Sequence, residues 1–164
     1  MTFKAFLTLV VVVTLPTVAG AQTKTSGTSV CGKPDQQQAL EVGDRTGHSL
    51  SISQGKCTWT KPMEIAGTQT KEDLVTFSDD VRGSQARGFG YVVGTMVNGD
   101  KFFVRIQGST VLKDGAPQSA EGKWNFTGGT GKLKGIKGGG TYKGTAGAEG
   151  VTYEVEGEYQ LPSK

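Results

Sequence analysis

The glycine-rich segment between residues 126 and 144 is the first place where the sequence could do chemistry, because such segments can cradle phosphates. A phosphate-binding loop requires Gly-x-x-x-x-Gly-Lys-Ser/Thr, but Gly131-Lys132 is followed by Leu133, and Phe126 occupies the first position of the pattern. The dinucleotide-binding pattern Gly-x-Gly-x-x-Gly also fails, because its third glycine stands one residue late, at Gly135. We therefore expect no nucleotide site and no cofactor.

Catalytic and metal-binding combinations are sparse elsewhere. A Ser-His-Asp arrangement would need His48, the single histidine, but no Gly-x-Ser-x-Gly elbow is present and a solvated histidine in a turn is the simpler interpretation. The carboxylate pairs Glu72-Asp73 and Asp79-Asp80 are adjacent in sequence, so their members would point to opposite sides of a strand, and turns are their simpler location. The alternating acids of a calcium loop are missing, and no metal site is predicted.

The interior of a small closed barrel is the remaining candidate site. The candidate lining residues mix aromatic and polar groups: Trp59, Tyr91, Phe103, Arg105, Trp124, Tyr142 and Tyr153. An Arg105 that faced inward among aromatic rings could orient an anionic or carbonyl-bearing ligand. In the alternative, which we prefer slightly, Arg105 faces solvent and side chains fill the barrel.

Short alternating apolar runs separated by turn signals predict strands that position these residues. The run Phe89–Val97 is followed by Asn98-Gly99 and then by Lys101–Gln107, which is a strong hairpin signal, and Asp114-Gly115 is a second such turn. No window shows helical periodicity. The fold class is therefore predicted as all-β, with a single antiparallel β-barrel of about eight strands.

Composition supports the barrel and excludes other classes. The chain has 26 glycines in 164 residues without a three-residue period, which excludes collagen. The net charge of +3 does not suggest a nucleic-acid partner. Glycines inside or beside predicted strands, such as Gly90, Gly94 and Gly140, suit strands that bend around a closed corner.

The first 21 residues have the layout of a cleaved signal peptide. Lys4 precedes the apolar run Ala5–Val13, and Ala19-Gly20-Ala21 supplies the small residues of a cleavage site. The alternative, a membrane anchor, is disfavoured because the run is too short to span a bilayer. We predict a secreted or periplasmic protein with no membrane span after cleavage, a flexible arm over residues 22–36 and a barrel domain over 37–164.

Cys31 and Cys57 are the two cysteines of the chain, and export to an oxidising compartment predicts a disulfide between them. Their spacing does not match a Cys-x-x-Cys redox motif, and a zinc site would need further ligands.

The segment Gly128-Gly129-Thr130-Gly131-Lys132-Leu133, followed by Gly135 and Gly138, resembles the glycine-rich stretch of dirigent proteins and of allene oxide cyclases. Secreted bacterial proteins with an allene-oxide-cyclase-like barrel look similar. The specific likeness covers residues 120–145, and Leu133 stands where the dirigent pattern prefers phenylalanine. The resemblance implies an eight-stranded, calycin-like antiparallel barrel in which Gly128, Gly129, Gly131 and Gly135 form a structural corner between strands. No pocket residue is carried over from these families.

Three functions follow from these observations. The first is non-catalytic binding of a small apolar or amphipathic molecule in the barrel interior. The second, implied by the resemblance, is a cofactor-free cyclase or isomerase that enforces a substrate conformation and excludes water. The third is a structural or protein-interaction role with a packed barrel. We prefer the first, because the residues show no catalytic constellation.

Overall fold

A computed structural model describes residues 22–162 and contains an antiparallel barrel closed by eight strands. The strands are β1 Thr23–Cys31, β2 Gln36–Glu41, β3 His48–Lys61, β4 Glu64–Ile65, β5 Thr68–Arg82, β6 Gln85–Met96, β7 Lys101–Lys113, β8 Ala116–Gly129, β9 Lys137–Gly147 and β10 Gly150–Gln160. Around the barrel the strand order is β1, β10, β9, β8, β7, β6, β5 and β3, and pairing between β3 and β1 closes it. This confirms the predicted all-β class and the barrel of about eight strands.

The predicted signal peptide, residues 1–21, lies outside the described residues. Within residues 22–162 there is no helix of the length and apolarity that crossing a membrane requires.

The predicted flexible arm over residues 22–36 is wrong for most of its length, because it contains β1. This strand pairs with β10 over all nine of its residues, from Thr23 opposite Tyr159 to Cys31 opposite Val151. The sequence of β1 is polar and lacks the apolar alternation that indicates a strand. Its buried positions alternate all the same, and they carry the small residues Thr25, Gly27 and Ser29. A Cβ at Gly27 would collide with the Met63 and Trp59 side chains, so small residues are what this wall of the barrel accepts.

The disulfide between Cys31 and Cys57 is present, as predicted. The two cysteines stand directly opposite each other in the pairing of β1 with β3. The chain then crosses to β2, an exposed strand that pairs with the first half of β3.

Side chains at one end of the barrel form a closed hydrophobic core. Phe102 and Phe126 pack edge to face, with ring centroids 6.0 Å apart, and Ile65 from β4 is a fully buried member of the same core. The short 3₁₀ helix Gly131–Leu133 follows β8 and inserts Leu133 into this core. Aromatic and aliphatic packing therefore occludes the barrel at this end.

The glycine-rich segment includes the end of β8 and most of β9, and its residues 130–136 connect the two strands at this closed end. Gly131 and Gly135 adopt left-handed backbone conformations with φ of +52° and +76°, which side chains other than glycine rarely adopt. A Cβ on Gly131 would also collide with the Asp100 carboxylate, and one on Gly129 would meet Leu133. Gly128 pairs with Phe103 at the end of β8. Residues 130–136 thus form a compact turn between β8 and β9.

Gly94 makes room for a ring of the core. It faces the barrel interior on β6 directly opposite Phe102 on β7, and a Cβ at position 94 would overlap the Phe102 ring. Phe102 is almost fully buried and packs against Phe126, so displacing its ring would disturb the core around it. This close approach explains a glycine in the middle of a strand, where it normally lowers stability.

We expect Gly94→Ala to lower the free energy of unfolding by about 2 kcal/mol through overpacking. Urea denaturation of Gly94→Ala, Phe102→Leu and the double variant measures the coupling between the two positions. The smaller leucine should relieve part of the clash, so the double variant should lose less stability than the two single variants together. Strict additivity would contradict this explanation of Gly94.

Candidate ligand-binding cavity

The half of the barrel opposite the core is hollow, with a cavity of about 1180 Å³ that opens to solvent. Its size comes from small residues that neighbour one another across the strands of the inner wall. Ala86, Thr110, Ala120 and Gly144 form one such row, from β6 to β9. Because their side chains barely extend inward, the centre of the barrel stays unfilled.

A second row of the inner wall is made of glycine. Gly88, Gly108 and Gly122 are paired neighbours on β6, β7 and β8, with Asp79 at one end of the row and Tyr142 at the other. The Tyr142 hydroxyl occupies the space that a Cβ on Gly108 or Gly122 would need. The glycines therefore let this aromatic side chain lie along the wall, which leaves the cavity open.

Four of the seven sequence-predicted interior residues line this cavity: Trp59, Trp124, Tyr142 and Tyr153. The rings of Tyr142 and Tyr153 meet edge on, 5.9 Å apart. The Trp124 indole N–H donates to the main-chain carbonyls of Thr141 and Glu156, at 3.3 and 3.2 Å. The Trp59 indole nitrogen, by contrast, is buried without a hydrogen-bond partner.

The other three, Tyr91, Phe103 and Arg105, lie outside the barrel, so an inward Arg105 is wrong. Tyr91 is half exposed, and the Arg105 guanidinium stacks over Phe89 on the outer surface, 5.7 Å from the ring centroid. The β7 side chains on either side of Arg105 that face inward are Phe102, Val104 and Ile106. Because one face of a strand carries alternate residues, these bulky apolar side chains place Arg105 on the solvent side. The apolar alternation from residue 102 to residue 106 is the sequence signal that would have indicated this.

Two carboxylates that the sequence interpretation assigned to turns face the interior instead. Asp73 and Asp79 lie in the middle of β5 and line the cavity on the same face as Val75 and Phe77. The alternation Asp-x-Val-x-Phe-x-Asp is a two-residue period, and it could have revealed the shared face. The adjacent Glu72 and Asp80 belong to the outward-facing positions, which bears out the expectation that neighbouring acids diverge on a strand.

Each interior carboxylate has an Oδ1 atom that is buried without a hydrogen-bond partner. Burial raises the pKa of Asp73 to about 7, and the nearby Trp59 indole offsets only part of this rise. Burial also raises the pKa of Asp79. Near neutral pH, Asp73 is therefore able both to accept and to donate a hydrogen bond.

His48 is buried at the start of β3, so the interpretation as a solvated turn residue is wrong. Its Nδ1 atom lies 2.5 Å from the Asp44 carboxylate, and its Nε2 atom lies 3.1 Å from Asp80, which also pairs with Arg82. These contacts tie the turn before β3 to the end of β5. The cluster is on the outward side of β5, because Asp80 alternates with the inward-facing Asp79.

Comparisons with known proteins place little constraint on this site. No protein-family model and no curated protein matches the chain. Among solved structures the chain is similar to a pyocyanin demethylase, with 16% sequence identity and a TM-score of 0.44, over 80% of this chain and 98% of that one.

Proposed function

We propose that this protein binds a small amphipathic molecule in the hollow half of its barrel. The observation that carries the proposal is a few polar groups on the wall of one cavity whose hydrogen-bonding capacity is not met. Asp79 Oδ1 has no partner, and Trp59 Nε1 and Asp73 Oδ1 make no hydrogen bond, although the indole lies near enough to lower the pKa of that carboxyl. A buried polar group left unpaired costs about 1–3 kcal/mol. A ligand that supplies the missing partners recovers part of that free energy.

The remaining wall suits the apolar part of such a molecule. Val75, Phe77, Ile106 and Val155 line the same cavity, so an apolar surface surrounds a few polar groups. This combination is typical of small-molecule sites, in which apolar contacts supply affinity and the polar groups determine orientation. We propose that binding occurs outside the cytoplasm, which the disulfide and the signal-like residues 1–21 support.

Intrinsic fluorescence tests the proposal, because both tryptophans of the chain line the cavity. Native mass spectrometry of protein purified from its own host should reveal a stoichiometric small molecule. Adding that molecule back to stripped protein should then change the tryptophan emission saturably. An unliganded mass from several growth conditions would contradict the proposal.

A pair of variants supplies the control. Ala120→Phe adds a ring to the inner wall and should abolish the fluorescence change. Ser119→Phe adds the same ring at the adjacent exposed position of β8 and should leave the change intact. If both variants bound the molecule like the wild type, the site would lie elsewhere.

A cofactor-free isomerase is the second candidate, and Asp73 is the residue that favours it. A buried carboxyl with a pKa of about 7 is suited to general acid–base transfer at neutral pH. The test is to incubate the molecule recovered from the host with wild-type protein and with Asp73→Asn. Chromatography should show an isomer formed by the wild type alone, whereas unchanged material in both samples would exclude this activity for that molecule.

A further inference from the structure

Four carboxylates line the cavity: Asp114 and Glu149 are exposed at its rim, whereas Asp73 and Asp79 lie in its interior without a matching cation. Asp73 and Asp79 project from one face of β5, about 20 Å apart along the strand. Three lysines also contribute to the lining, but Lys33, Lys56 and Lys113 are all exposed to solvent. In the part of the chain that the structure describes, the salt bridges involve neither Asp73 nor Asp79. The interior is therefore acidic and unneutralised.

Asp79 lines the cavity and is only partly buried, whereas Asp73 is buried. Its neighbours across the inner wall are Ser51 on β3 and Gly88 on β6, neither of which fills the space in front of the carboxylate. Asp73 lies deeper, directly opposite Gly94, where the hydrophobic core begins. Of the two carboxylates, Asp79 is thus the one with room for a polar group of a ligand.

Aromatic rings surround the same space. Burial is the main cause of the raised pKa values of Tyr142 and Tyr153, and the Asp79 charge contributes to both, so both hydroxyls lie within electrostatic reach of this carboxylate. Phe77 lies two residues before Asp79 on the same face and rests against Gly88 and Gly90. Aromatic rings beside an unpaired carboxylate stabilise an organic cation through cation–π and ionic contacts together.

We propose that the cavity selects ligands that carry a cationic N–H group on an apolar, ring-sized body, with Asp79 as the counter-ion. The inference rests on the proposed function and adds the class of ligand to it. The cationic group pairs with the Asp79 carboxylate, and the apolar body lies along Val75 and Phe77 towards Asp73. Carboxylate-bearing ligands are rejected, because they would bring a second negative charge into a partly desolvated acidic space. An inward Arg105 would instead have favoured anionic ligands.

Three probes of matched size test this preference by isothermal titration calorimetry at pH 8: 1-naphthylmethylammonium, 1-naphthalenemethanol and 1-naphthoate. At this pH Asp73 is ionised in the free protein, since its pKa is about 7. We expect the ammonium probe to bind about tenfold more tightly than the alcohol, as for a hydrogen bond to a charged group. The carboxylate should bind about tenfold more weakly than the alcohol.

Asp79→Asn should bring the affinities for the ammonium and the alcohol to within about twofold of each other, while the alcohol binds as it does to the wild type. Asp80→Asn, which removes a carboxylate from the outer side of the same strand, should keep the tenfold preference. Equal binding of all three probes to the wild type would overturn the charge preference but leave ligand binding intact. Failure of every probe to bind would count against the proposed function as well, and a preference that survives in Asp79→Asn would overturn the role of Asp79.

Discussion

The wild-type protein should lose stability as the pH rises from about 4 to about 7, and Asp73→Asn should abolish most of that loss. The Asp73 carboxyl has a pKa of about 7 in the folded chain, against 3.8 for the unperturbed group. Between these values the folded chain binds one proton more than the unfolded chain, so the free energy of unfolding falls with increasing pH. A shift of this size corresponds to about 4 kcal/mol, all of it present below pH 4 and lost above pH 7.

Urea denaturation at pH 4, 6 and 8 measures this dependence. The Asp73→Asn variant should match the wild type at pH 4 and exceed its free energy of unfolding at pH 8, because the amide never ionises. Asp114→Asn removes an exposed carboxylate from the β7–β8 turn and should leave the slope unchanged. Equal slopes for the wild type and Asp73→Asn would show that Asp73 titrates normally in the folded chain.

Other carboxyl groups contribute to the pH dependence with known signs. Burial raises the pKa of Asp79, so its ionisation, like that of Asp73, lowers the free energy of unfolding as the pH rises. The hydrogen bond with His48 lowers the pKa of Asp44, and the one with Arg82 lowers that of Asp80. These two groups favour the folded chain when ionised, and that contribution disappears on acidification below their usual titration range. The wild type and Asp73→Asn share these other carboxyl groups. The difference between their free energies of unfolding at each pH therefore reports on Asp73.

Loss of the Cys31–Cys57 disulfide should lower the free energy of unfolding by about 3 kcal/mol. The bond joins residues separated by 26 positions, so its loss returns a large loop to the conformational freedom of the unfolded chain. It also holds β1 beside β3 at the seam where the barrel closes. The double variant Cys31→Ser/Cys57→Ser should therefore unfold at a lower denaturant concentration than the oxidised wild type.

A reducing agent provides the control within the same experiment. Reduction should shift the unfolding midpoint of the wild type towards that of the double variant and leave the double variant unaffected. Because β1 also pairs along its whole length with β10, the reduced protein should retain its β-sheet circular dichroism at low denaturant. If complete reduction left the unfolding midpoint of the wild type unchanged, the stabilising role of the disulfide would be contradicted.

Much of the fold can be predicted because its signals are local. Phe89–Val97 and Lys101–Gln107 alternate around Asn98-Gly99, and the structure places a hairpin there, between β6 and β7. The strand β1 was not predicted from the sequence, because its buried positions Thr25, Gly27 and Ser29 show no apolar alternation. The burial of Gly27 depends on Trp59 and Met63, which are more than 30 residues away in the sequence.

In the candidate site, too, some residues could be predicted from the sequence and others depended on distant contacts. Aromatic type nominated Trp59, Trp124, Tyr142 and Tyr153 correctly as interior residues, because large aromatic side chains are usually buried on folding. The same criterion also nominated Tyr91 and Phe103, which lie outside the barrel. Arg105, Asp73 and Asp79 could not be placed in this way. Whether a polar residue faces inward depends on which face of its strand is buried, and a shift of one residue reverses it.

The sequence by itself determined the all-β class, the antiparallel barrel and the disulfide, because strand alternation, turn residues and cysteine count act over short stretches or in the chain as a whole. Only the tertiary structure decided that the barrel is hollow at one end and acidic inside. The void exists because Gly88, Gly108 and Gly122, on three different strands, become neighbours once the register is set. The same register turns Asp79 inward beside Tyr142 and Arg105 outward onto Phe89, since the position of each side chain depends on hydrogen bonds between strands far apart in the sequence.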